Sequence, residues 1–275
     1  MNKSTLKILN EDVYYVYEDT GKPKVLFLHG FNSSYSFATQ VYNLKNRNYD
    51  VVSLDFPGCG KSTNNETITI ERYQQIAAEF VKILGFEIEL VIGHSLGGAM
   101  ALYLLNNNLA KYALLAAPIN YQLLNPLYLK DNLKGITTKI KQWLLPENFE
   151  QAFESQDNLV YSNVNKYKDN LKKISDVFLA LTKSKKAIFS DIVTKQITNK
   201  EYLKKEIFNL YNKNQNYEFI IGMNDMFVTA SSIFEIAKAQ NKNLTIISNC
   251  GHALFFEKPI DINNKINFLV QKNNH

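Results

Sequence analysis

The sequence predicts an α/β protein built on one mostly parallel, doubly wound sheet of eight strands, and three observations predict it. Short apolar runs without polar alternation recur along the chain, as strands buried on both faces require. Stretches with apolar residues at helical spacing separate them. The order is β-α-β-α over most of the length, which implies a parallel sheet covered by helices on both sides.

The elements follow in order. Residues 6–10 and 13–17 alternate and are expected to form a hairpin. Residues 25–28, Val-Leu-Phe-Leu, form a continuous apolar run that ends in His29-Gly30. A helix is expected over 36–45, then a buried strand over 51–54 ending in Asp55 and a Pro-Gly turn. Helix 70–84, strand 88–92, helix 96–106 and strand 112–116 continue the rhythm, with Ala99, Leu102, Tyr103 and Leu105 at helical spacing. From 121 to 199 the rhythm stops; this Lys-rich stretch with Trp143, Phe149, Phe153, Phe178 and Phe189 is helical in character. It resumes with strand 218–222, helix 231–239, strand 244–248 and helix 259–270. The economical division is a core of 1–118 and 200–275 with a helical insertion over 119–199.

Gly93-His94-Ser95-Leu96-Gly97 has the form G-x-S-x-G where a buried strand ends and a helix begins. A serine on so sharp a turn needs glycine on either side, because a Cβ there would meet neighbouring backbone. Serine alone is a weak nucleophile near neutral pH and needs a histidine base with a group to orient it. Of four histidines, His29 ends a strand, His94 takes a variable place in the turn and His275 is the last residue. His252, in the loop after strand 244–248, is therefore the candidate base. Asp225, directly after strand 218–222, is the candidate orienter; Asp176 and Asp191 compete but fall in the insertion.

With serine, acid and base in that chain order, each at the end of a strand, the sequence resembles the α/β-hydrolase family over nearly its whole length. His29-Gly30-Phe31 is similar to the family's oxyanion-loop motif, Asp55-Phe56-Pro57-Gly58-Cys59-Gly60-Lys61-Ser62 to its D-x-x-G-x-G-x-S stretch, and Gly251-His252 with Glu257-Lys258-Pro259 to its C-terminal signature. The resemblance implies that the backbone N–H groups of Phe31 and Leu96 form an oxyanion hole and that the insertion is a helical cap over the site. It implies a serine hydrolase acting on small apolar carboxylic esters. Thioesterases, carbon–carbon bond hydrolases, aminopeptidases and a non-catalytic ligand-binding member share the fold and stay open as alternatives. Leu96, where proline iminopeptidases usually carry Trp, places that peptidase branch lower.

Other classes are disfavoured. Gly58-Cys59-Gly60-Lys61-Ser62 imitates a phosphate loop, but Asp55 stands where the Walker pattern requires glycine. The net charge of +5 is scattered, and only Arg47 and Arg72 supply guanidinium, so no nucleic-acid footprint is expected. No metal or other cofactor is expected, since no His/Cys/Asp cluster has ligand spacing. Cys59 and Cys250 are expected to be free thiols. The N-terminus lacks a continuous apolar segment and no run approaches the ~18 residues that span a bilayer, so no membrane insertion and a cytoplasmic location are expected.

Overall fold

The computed structural model describes residues 1–128, 135–213 and 215–273; His275 lies outside them. Strands β1 (Asn2–Ile8) and β2 (Glu11–Tyr17) pair antiparallel with Ile8 opposite Glu11. Leu9 and Asn10 form the two-residue turn, both at positive φ (45° and 69°), the geometry that matches strand twist in a hairpin. The first strand thus runs four residues earlier and ends two earlier than its apolar alternation suggests; hairpin closure overrides the Leu9 signal.

Strands β3 (Lys24–Leu28), β4 (Asp50–Leu54), β5 (Ile88–His94), β6 (Tyr112–Ala116), β7 (Tyr217–Gly222) and β8 (Leu244–Ile247) complete a sheet ordered β1-β2-β4-β3-β5-β6-β7-β8. From β4 to β8 all pairings are parallel. Every residue of β3, β4 and β7 is buried. Each such Val, Leu, Ile or Phe contributes roughly 1.5–3 kcal/mol of burial, so these runs fix the sheet's centre.

Between β3 and β4 the expected helix is shortened to a 3₁₀ turn, Tyr35–Ala38, and one α-turn, α1 (Thr39–Tyr42). The Tyr35 N–H is drawn 2.6 Å onto the Asp55 carboxylate, which ties the start of this segment to the end of β4. Helix α2 (Ile70–Leu84) is capped by Thr69, whose Oγ1 accepts from Arg72 N, and stops at Gly85 in the left-handed region (φ 65°). Its buried face includes Ile70, Tyr73, Ile76, Ala77 and Phe80. Helix α3 (Gly97–Asn106) follows β5.

The stretch between β6 and β7 is helical, as expected. It contains a 3₁₀ turn at Pro126–Tyr128, α4 (Ile136–Leu144), α5 (Phe149–Leu159), two further 3₁₀ turns, α6 (Leu171–Asp191) and a π-helical turn at Ile192–Ile197. Residues 200–212 add helical structure not anticipated above: α7 (Lys200–Tyr202), a π-turn at Leu203–Ile207 and α8 (Phe208–Asn212). Helices α9 (Ala230–Ala239), α10 (Leu254–Glu257) and α11 (Pro259–Asn273) close the chain. Among the described residues no helix is long and apolar enough to cross a membrane.

Candidate active site

Ser95 stands between β5 and α3 with φ 53°, a conformation L-residues adopt at a cost. Its neighbours hold it there: Ser95 N donates to Ala116 O (3.0 Å), and Ser95 O accepts from Gly98 N (3.0 Å) and Ile119 N (2.9 Å). A Cβ at Gly93 would lie 2.5 Å from Gly97 O, and one at Gly97 only 2.2 Å from Leu28 O. The flanking glycines are therefore obligatory, and Ser95 is held at the carboxyl edge of the sheet.

The loop after β3 passes close by, since a Cβ at Gly30 would be 2.9 Å from that of Ser95. Among the described residues, neither the Phe31 N–H nor the Leu96 N–H has a hydrogen-bond acceptor. His29 braces this loop. Its Nε2 accepts from Phe56 N (3.0 Å), so Nδ1 carries the proton and donates to Gly30 O (2.8 Å). Burial holds the ring neutral, with a pKa lowered to about 4.

Asp225 follows β7 and is 1% exposed. Its Oδ1 accepts from Phe227 N (2.8 Å) and Val228 N (2.9 Å), and its Oδ2 accepts from His252 Nδ1 at 2.7 Å. This fixes the imidazole tautomer and leaves Nε2 as the basic nitrogen. The His252 ring stacks on Phe227 (5.1 Å, 27°) and lies 4.9 Å from the His94 ring. Asp225 and His252 are thus joined directly. Ser95 shares a cavity wall with His252, with no hydrogen bond between its hydroxyl and the ring. Asp176 is exposed, and Asp191 pairs at the surface with Lys195.

Three supporting residues went unassigned from sequence. His94 Nε2 donates to the His252 carbonyl (2.9 Å), pinning the backbone of that residue; burial and the neighbouring His252 push its pKa down, so it serves as a neutral donor. Glu257 is buried and accepts from Gly251 N (2.8 Å) with Oε1 and from Tyr161 N (3.0 Å) and Ser162 N (2.8 Å) with Oε2. With Ala253 N donating to Leu159 O (3.1 Å) and Ser162 Oγ to Asn249 O (2.8 Å), it laces the end of α5 to the histidine loop. Lys185, on α6, donates to Gly58 O (3.0 Å) and Asn32 Oδ1 (3.4 Å), while Phe189 meets the Phe31 ring edge-on at 5.0 Å. Only Glu257 left a sequence trace, in the Glu-Lys-Pro signature; the reach of Lys185 across the fold left none.

Two cavities meet at Ser95. The larger, about 410 Å³, is mainly aromatic and aliphatic, with Phe37, Trp143, Phe178, Phe255 and Phe256 in its wall beside His252. The smaller, about 30 Å³, is apolar apart from Ser95.

The imitation phosphate loop is committed to other bonds. Asp55 Oδ2 accepts from Lys61 N (2.9 Å), and the Lys61 ammonium lies 4.9 Å over the Tyr14 ring. Cys59 and Cys250 are free and buried, and burial raises the Cys59 pKa to about 12, far from a reactive thiolate. Among the described residues no group of three or more His, Cys, Asp or Glu could hold a metal ion.

A sheet of this order carrying a serine turn on its fifth strand defines a class, and the chain belongs to it: the family model of the alpha/beta hydrolase fold matches residues 23–259. The chain is 25% identical over 247 residues to the Mycoplasma pneumoniae protein named "Putative esterase/lipase 2", covering 85% of this chain and 84% of that one. It is 22% identical over 271 residues to a human monoacylglycerol lipase, covering 91% and 77%. Among solved structures it is similar in fold to a membrane phospholipase A, with TM-score 0.77, 17% identity and coverage of 100% and 87%. The family and its esterase- and lipase-named relatives support a hydrolase.

Proposed function

We propose that the protein is a serine hydrolase of small apolar carboxylic esters, with Ser95 as nucleophile, His252 as general base and acid, and Asp225 as orienter. The observation that carries this reading is the buried His252–Asp225 contact of 2.7 Å opening onto the cavity that Ser95 also lines. In this reading the Ser95 hydroxyl attacks the ester carbonyl carbon while His252 Nε2 takes its proton. The carbonyl oxygen becomes an oxyanion facing the Phe31 and Leu96 N–H groups, each worth about 10²–10³ in rate. The C–O bond to the alcohol then breaks as His252 returns the proton to the leaving oxygen. Water, deprotonated by His252, releases the acid from the acyl-enzyme and restores Ser95. We assign the helical segment 119–199 as a cap that walls the cavity, since Trp143, Leu159 and Phe178 line it.

The test is saturable cleavage of p-nitrophenyl acetate at neutral pH, with covalent labelling of Ser95 by a fluorophosphonate. Ser95→Ala should show neither above background. Full activity in that variant would overturn the assignment, and folded wild-type protein that takes no label would favour a ligand-binding member without turnover.

A further inference from the structure

The two cavities at Ser95 differ in size and in their contact with the base. We propose that the enzyme selects short acyl groups, no longer than butyryl, carried on bulky apolar alcohols. The inference rests on Ser95 being the nucleophile and His252 the proton carrier.

The leaving oxygen must receive its proton from His252, so the alcohol half of the ester occupies the cavity whose wall includes that ring. That is the larger one, where Ala253, Phe255 and Phe256 continue the wall beyond His252. His252 does not line the smaller cavity, which lies against Leu96, Ile119, Leu123, Ile140, Ile197 and Val228. Leu96 also supplies one oxyanion donor, so an acyl carbon bonded to Ser95 Oγ with its oxygen toward Leu96 N–H can direct its substituent into this recess. Phe31, Leu144 and Phe227 border both spaces and divide them.

Size then decides the acyl group. A water molecule needs roughly 10–15 Å³ of such space, so a recess of about 30 Å³ holds two or three water-sized groups. A chain longer than butyryl would press on Ile119, Ile140 or Val228, all under 5% exposed and part of the close-packed core. Such positions yield only by forcing neighbours off their rotamers. The alcohol side, with about 410 Å³, has no comparable restriction.

The experiment compares two isomeric esters of equal composition, hexyl acetate and ethyl hexanoate, with p-nitrophenyl acetate run alongside. Wild-type protein is expected to hydrolyse hexyl acetate with a kcat/KM at least about 100-fold higher, since one misfitting methylene already costs 10–200-fold. Equal rates, or a preference for ethyl hexanoate, would overturn the proposal while p-nitrophenyl acetate turnover upheld the nucleophile. Absence of both p-nitrophenyl acetate turnover and Ser95 labelling would overturn the underlying reading, and this proposal with it. Ile140→Ala and Ile197→Ala, which deepen the recess, should each shift the ratio of the two isomers toward ethyl hexanoate by about tenfold or more. A ratio unmoved in both, in folded protein, also counts against it.

Discussion

Replacing Asp225 by Asn tests the tautomer lock with almost no change of shape. The two backbone donors, Phe227 N and Val228 N, can still bond to the amide oxygen. The amide NH₂ then faces His252 Nδ1 across 2.7 Å, donor against donor. The imidazole relieves this by moving its proton to Nε2, which leaves no lone pair facing Ser95. Loss of the tautomer and of the carboxylate that steadies the imidazolium lowers kcat by about 10⁴, or roughly 5.5 kcal/mol at 1.36 kcal/mol per decade. KM should change little, because Asp225 is 1% exposed and lines neither cavity. The assay is steady-state hydrolysis of p-nitrophenyl acetate at pH 7.5, with fluorophosphonate labelling falling in parallel and thermal unfolding as a control. A variant that keeps kcat within tenfold of wild type and melts normally would refute Asp225 as the orienter.

Further outcomes follow from the same geometry. Ser95→Gly should abolish hydrolysis yet raise stability by about 1 kcal/mol, because glycine adopts φ 53° without strain; calorimetry should show Tm up by about 2–4 °C, and a lower Tm would contradict the strain argument. Glu257→Gln cannot accept all three backbone donors, so it should cost about 1–3 kcal/mol and lower kcat more than it raises KM; kinetics and a melt at wild-type values would exclude a positioning role. His29 gives a pH dependence of definite sign. Its folded pKa of about 4 lies below the ordinary value near 6.5, so the unfolded chain binds the extra proton. The contribution is intact above pH 6.5 and lost as pH falls toward 4; Tm should drop over that window, less steeply in His29→Asn, and identical slopes would exclude His29 as a source.

Much of this was legible in the sequence because single residues carried unambiguous constraints. The apolar runs at β3, β4 and β5 suit strands buried on both faces, and Gly93 and Gly97 flank a turn where a Cβ would meet backbone. Boundaries set by tertiary competition were less legible. Leu9 follows Ile8 out of phase with the Leu6–Ile8 alternation and turns a hairpin, and residues 36–45 have helical spacing but open as a 3₁₀ turn and end their α-turn at Tyr42. Buried Leu203, Ile207, Leu210 and Tyr211 did sit at helical spacing, within a stretch interrupted by a π-turn. At the site, the triad candidates followed from strand-end positions, but their helpers did not. His94 occupies the variable place of its motif, and its bond to His252 O spans 158 residues that no local pattern connects.

One carboxylate, that of Glu257, grips both the roof of the pocket and the loop that carries the imidazole. Roof and base therefore act as a single interlocked part: displacing the 159–162 segment outward would drag residue 251, and the ring beside it, out of register. On the mechanism proposed above, the ring would stay in position only while this corner is closed, and substrate would enter elsewhere.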